Sequence, residues 1–164
     1  MLSPKDLLAV VVRPALSRIG LLNQASIELV MGTAAQESHL QYLRQLGTGP
    51  ALGLWQMEPA THNDIWTNYL RHKPQLAAAV LSILSAENQR HDPGELAWNL
   101  RYAAAMCRVH YLRVAAPLPA AGDLRGQAAY WKKSYNTVLG AGTELEYVRN
   151  YELVRQAINE MKDA

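Results

Sequence analysis

GTAAQESHLQYLRQLGTGPALGLWQMEPATHNDIW, from Gly32 to Trp66, is the stretch whose reading decides the fold. Just upstream and into it, Ile27, Val30, Met31 and Ala34 recur at the three-and-four spacing that lines one face of a helix. The spacing predicts a helix beginning between Asn23 and Ser26. Glu37 continues the stripe, three residues after Ala34 and seven after Val30, so its carboxylate is expected to point inward where the helix ends. Leu46-Gly-Thr-Gly-Pro50 cannot prolong that helix, because glycine is costly in helix interiors and the residue before a proline is pushed toward extended geometry. A small loop or hairpin is therefore expected near residues 45–56.

Outward from this stretch the remaining signals are helical. Ser3-Pro4-Lys5-Asp6 combines a hydroxyl cap, a proline in the first turn and an acid, predicting a helix to about Arg18 that stops at Gly20. Pro14 should kink it or end it near Arg13. Thr61-x-x-Asp64 reads as a capping box for a helix carrying Ile65, Trp66, Tyr69 and Leu70, and Pro74 opens another through the alanine run to about Ser85. Asp92-Pro93-Gly94-Glu95 should start one long central helix bearing Leu96, Leu100, Ala104, Cys107 and Tyr111. Pro117, Pro119 and Gly122 mark a loop. A helix around Leu124–Ser134 follows, then Tyr135-Asn136-Thr137 and a turn at Leu139-Gly-Ala-Gly142. Thr143-x-x-Glu146 caps a final helix with a polar tail at Lys162-Asp163-Ala164. The reading is a mostly α protein with one domain over residues 1–164.

Composition narrows the function classes. Apolar residues are 49% of the 164 and charged residues 18%, with a net charge of +2, which argues against disorder and against a nucleic-acid partner. The single cysteine, Cys107, excludes an intrachain disulfide or redox pair and reads as a buried thiol. The early apolar run Leu7–Val12 falls far short of the roughly 20 residues that span a bilayer, and no secretory signal is visible. Stable membrane insertion is not expected. His39, His62, His72, His91 and His110 lack the spacing of a zinc site and are expected at the surface, so neither metal nor cofactor is predicted. Gly-x-Ser-x-Gly is missing, as are phosphate-loop and dinucleotide fingerprints. Lys132-Lys133 could meet an anionic polymer or simply be solvated.

A glutamate on an apolar face loses hydration, which raises its pKa and lets it donate a proton near neutrality. Alone, Glu37 could equally swing into solvent or pair with Arg44. Trp55 suits either a core or a sugar-stacking cleft wall, while Trp66, Trp98 and Trp131 are assigned to the core. Asp64 reads as a helix-capping acid. Glu58 is a second carboxylate, a solvated loop acid or a cap for the helix after Pro59.

Three segments in order, Gln36-Glu37-Ser38, Gly53-Leu54-Trp55-Gln56-Met57-Glu58-Pro59-Ala60-Thr61 and Tyr135-Asn136, resemble the signature of the lytic transglycosylase branch of the lysozyme superfamily. Trp98-Asn99-Leu100-Arg101-Tyr102 resembles a further helix of that family, with Ala103 or Ala104 where the family has glycine. The pattern covers about residues 27–151 and is similar to small lysozyme-like proteins of tailed bacteriophages. It implies a lysozyme-like fold and a glycosidase acting on peptidoglycan glycan strands, with Glu37 protonating the oxygen between N-acetylmuramic acid and N-acetylglucosamine. The resemblance further implies that Ser38 and Gln56 orient substrate or the acid, with Gly53 and Trp55 in the same motif. Tyr135 would hydrogen-bond the Glu37 carboxyl and Asn136 would hold that corner or contact sugar. Such transglycosylases lack a second carboxylate, whereas hydrolases carry a pair. Glu58 stands where the family has an apolar residue, which keeps a muramidase open. Two settings fit a chain without a visible signal: an endolysin released from the host cytoplasm, or a virion-carried lysin with other virion proteins as partners. A rival reading is a virion structural or wall-binding protein that keeps the fold without cutting glycan. A helical adaptor with no wall role is the other rival, for which the three motifs would lie scattered.

Overall fold

In a computed structural model the described residues, 1–84, 90–136 and 140–162, are mostly helical. Ser85 and the Thr137–Leu139 part of the expected turn lie outside them, as do Asp163 and Ala164 of the tail. No helix among the described residues is long and apolar enough to cross a membrane.

The helices form in order as α1 (Pro4–Asp6), α2 (Arg13–Arg18), α3 (Gln24–Ser38), α4 (Pro59–Asn68), α5 (Pro74–Leu81), α6 (Glu95–Trp98), α7 (Leu100–Leu112), α8 (Leu124–Trp131), α9 (Glu144–Asn150) and α10 (Glu152–Lys162). Residues 4–18 form one continuous helical run, with a π-helical stretch, Leu7–Val12, between α1 and α2. Pro14 is the reason the run departs from α geometry, since it has no N–H to give to the carbonyl of residue 10. That Val10 carbonyl instead accepts from Arg101 Nε at 2.9 Å. The backbone group left over by the proline thus ties the first helical run to α7.

α3 is the buried axis. Asn23 caps it, its side chain accepting from the Ser26 N–H at 2.8 Å, and His39 ends it in the left-handed conformation, φ 50°. From Ser26 to Ala35 every residue of α3 is buried, which brings Ser26, Glu28 and Thr33 inside along with the apolar stripe. Each finds a partner: Ser26 accepts from Arg108, Glu28 from Gln24, Gln127 and the Gly122 N–H, and Thr33 donates to the Leu29 carbonyl. Gly32 lies where a Cβ would overlap the Tyr147 hydroxyl, so the missing side chain lets α9 approach α3. The buried apolar residues of the first helical run, α3, α7, α8, α9 and α10 belong to one cluster with those of the 54–70 segment.

Several expected boundaries move. The predicted long helix from Glu95 is two: Asn99 breaks it and caps α7, accepting from the Tyr102 N–H at 3.1 Å. α4 begins at Pro59 and not at Thr61, because the proline already supplies a first-turn φ with no donor to satisfy. Asp64 therefore lies inside α4, where it accepts from Arg113 and Asn68 and does not act as a cap. The Thr143–Glu146 capping box is present, but the helix it starts breaks at Tyr151 into α9 and α10. Trp98 is 59% exposed and is not a core residue, since the break at Asn99 turns the end of α6 outward. Beyond α8 the chain continues in a π-helical turn, Lys132–Asn136. The loop near residues 45–56 closes through single antiparallel bridges, Arg44 with Leu52 and Leu52 with Met57.

Candidate active site

The last turn of α3, the loop after it, the start of α4, the end of α7 and the π-turn after α8 surround a cleft of about 680 Å³. Glu37, Gln56, Glu58, Tyr135 and Asn136 all line it. Residues from all three sequence motifs, the first and third about a hundred positions apart in the chain, therefore line one cleft.

Glu37 is partly buried, and its Oε1 accepts from the Trp131 indole N–H at 2.8 Å. Burial raises the carboxyl from 4.5 to about 7, with the Trp131 bond pulling the other way. The C-terminal end of α3 carries partial negative charge and disfavours ionisation in the same sense as burial. A group balanced between acid and carboxylate at neutral pH can both give and take a proton.

Trp131 is fully buried, as its core assignment required, yet its indole N–H is also the side-chain donor on the acid. Tyr135 does not bond Glu37 as expected. Its hydroxyl donates to the Trp55 carbonyl at 2.7 Å, because that backbone oxygen would otherwise lie buried without a donor. Burial drives its own pKa far up, keeping the phenol neutral.

Ser38, Gly53 and Trp55 are not brought to the cleft wall. Ser38 is buried and its hydroxyl returns to the Ala34 carbonyl at 3.1 Å, a bond available within its own helix. Gly53 has φ +74°, and a Cβ there would overlap the Leu96 carbonyl oxygen, so this glycine serves close backbone approach. Trp55 is a core residue whose indole N–H reaches the Val30 carbonyl at 2.9 Å. Gln56 does face the cleft, in the left-handed conformation with φ 46°, its amide nitrogen donating to the Gly53 carbonyl at 2.8 Å. Asn136 accepts from Lys132 Nζ at 3.1 Å, and the same ammonium donates to the Gly140 carbonyl at 2.7 Å. Lys132 is therefore engaged with the chain at the cleft edge. Glu58 is exposed on the cleft wall; it occupies the cap position of α4 but its side chain makes no capping bond.

The chain matches no family model, no curated protein and no solved structure.

Sequence reasoning missed other residues of the wall. His39, Tyr42, Gln45, Thr61 and His110 contribute to the lining. His110 is half-buried in the cleft wall, and His62 is fully buried with its ring nitrogens against Tyr102 and Asn63. Both were placed outside because they lack the spacing of a zinc site, although His110 falls three residues after Cys107 on the inward stripe of α7. Burial lowers His110 to about 4, helped by the Arg113 charge and opposed by its bond to the Ser134 carbonyl. Cys107 is fully buried and burial pushes its thiol well up, as a structural thiol should be.

Proposed function

We propose that this protein is a peptidoglycan glycosidase that cleaves between N-acetylmuramic acid and N-acetylglucosamine, and that it does so as a lytic transglycosylase. One observation carries the reading: Glu37, held by Trp131 and raised to about 7, lies on the wall of an open cleft of about 680 Å³. The volume lies within the usual range for a ligand site.

The chemistry asks one group to act twice. As an acid, Glu37 gives its proton to the glycosidic oxygen while the bond from C1 of the muramic acid breaks and positive charge spreads over C1 and the ring oxygen. As the resulting carboxylate, it takes the proton of the 6-hydroxyl of the same sugar as that oxygen closes on C1. The products are a free 4-hydroxyl on glucosamine and a 1,6-anhydro muramic end, with Glu37 reprotonated. Gln56 and Asn136 offer amide groups to the sugars in the same cleft.

A second reading, hydrolysis, is favoured by one observation, the presence of Glu58 in the lining of the same cleft. In it Glu58 would activate water or attack C1 in place of the 6-hydroxyl.

Glu37→Gln protein assayed on purified peptidoglycan should show no glycan cleavage; retained cleavage would overturn both readings. Mass spectrometry of wild-type products then separates them, anhydro ends marking transglycosylation and reducing ends hydrolysis. Glu58→Gln should leave an anhydro-forming enzyme active and should abolish a hydrolase.

A further inference from the structure

We infer that His110 is a positioning residue of the cleft, locked as one neutral tautomer between Arg113 and the Ser134 carbonyl so that it fixes the turn presenting Tyr135 and Asn136. Only the kinetic part of this inference rests on the glycosidase reading.

His110 stands in the last turn of α7 with both ring nitrogens engaged. Arg113 Nη2 lies 2.9 Å from Nδ1, and the Ser134 carbonyl oxygen lies 3.0 Å from Nε2. A guanidinium can only donate and a carbonyl can only accept. Nδ1 must therefore be the bare nitrogen and Nε2 must carry the hydrogen. Arg113 cannot turn away freely, because its Nη1 is bound to Asp64 of α4, which also accepts from Asn68. The orientation of the imidazole is thus set from α4 through Arg113.

On its other side the ring governs the π-turn. Ser134 lies within Lys132–Asn136, directly before Tyr135, and the His110 ring meets the Tyr135 ring edge-on at 4.9 Å and 73°. The turn receives one bond to its backbone and one ring contact from the same side chain. Tyr135 in turn holds the Trp55 carbonyl, next to Gln56. Arg113, Asp64 and His110 are brought together from α4 and α7, and the group they steady lines the cleft opposite in sequence to Glu37.

A pair of substitutions separates the two bonds. In His110→Gln the amide nitrogen takes the place of Nε2 and still donates to Ser134, whereas His110→Asn retains only an acceptor for Arg113. On soluble glycan strands the Gln variant should keep kcat within about threefold of wild type and the Asn variant should lose about tenfold or more, chiefly in kcat, because small misplacements of positioned groups carry such penalties. NMR requires no activity: in wild type His110 should show a bare Nδ1 and a protonated Nε2, and the Tyr135 and Asn136 resonances should move in the Asn variant but not in the Gln variant. Equal losses in both variants, or unmoved Tyr135 and Asn136 signals in the Asn variant, would refute the inference. Should the Asn variant not fold, Arg113→Met provides a second test: the Ser134 carbonyl still holds the hydrogen on Nε2, but the ring loses its restraint at Nδ1, so displaced Asn136 signals are expected and unchanged signals would overturn the inference. Failure of wild type to cleave glycan would sink the glycosidase reading and leave the NMR result to decide the role of His110.

Discussion

Ionising Glu37 inside the fold means parting a carboxylate from water for a single strong donor, the Trp131 indole. The sign of the consequence follows from linkage. Between pH 4.5 and about 7 the folded chain holds a proton that the unfolded chain has released, so this group's contribution to stability is full below 4.5 and lost as pH rises through 7. Glu37→Gln keeps an acceptor for Trp131 and has no charge to bury. Melting curves should therefore show the variant nearest to wild type at or below about pH 4 and exceeding it at pH 8, by up to about 3 kcal/mol. A variant less stable than wild type at pH 8 would contradict the raised pKa. The i, i+3, i+7 stripe pointed Glu37 inward but left a swing into solvent open, and the order of the three motifs was what favoured the inward reading. Its donor was not, because Trp131 lies 94 residues away and no local pattern distinguishes an indole that packs from one that packs and donates.

At the scale of elements, the loop between α3 and α4 uses its glycines for different ends. Gly47 has φ +82° with open space around it, whereas Gly53 has φ +74° and lies against the Leu96 carbonyl of α6. Gly47→Ala should cost about 1 kcal/mol, the strain of a left-handed backbone. Gly53→Ala adds an overlap with backbone that cannot swing aside, and should cost about 2–4 kcal/mol. Urea titrations of the two variants would check the order, and equal costs would mean that the approach to α6 is slack. The sequence marked both glycines as loop formers and placed Gly53 within a binding motif. What it could not show was that α6 ends at Asn99 and offers its backbone there. The same blindness explains Trp98, which was assigned to the core and which the break at Asn99 puts at 59% exposure.

Across the whole molecule, a single apolar cluster joins the N-terminal helical run to α10, so chain ends and cleft elements share one core. Cooperative loss of that core is expected. Far-UV circular dichroism and tryptophan fluorescence should report one coincident transition in denaturant, and Trp98→Ser should leave its midpoint unmoved. Separate transitions would show that the cleft elements melt apart from the rest. Composition and helix signals were enough to predict a mostly helical chain, and the order of three short motifs was enough to gather Glu37, Gln56, Glu58, Tyr135 and Asn136. Motif matching could not separate the residues that face the cleft from those that build it, since Ser38, Gly53 and Trp55 belong to the same segments and point elsewhere.

The π-turn after α8 bears on how the cleft wall tolerates change in chain length. Successive residues of an α-helix advance by about 100°, which would leave Asn136 roughly 140° around the axis from Trp131. With i to i+5 bonding each step is nearer to about 80°, and Trp131, Tyr135 and Asn136 come round to a common side. One surplus residue per turn is what keeps the acid's donor and the two later wall residues in line. Removing a single residue there, such as the exposed Lys133, would tighten the winding, leave helix content almost unchanged and carry Asn136 out of register with Glu37.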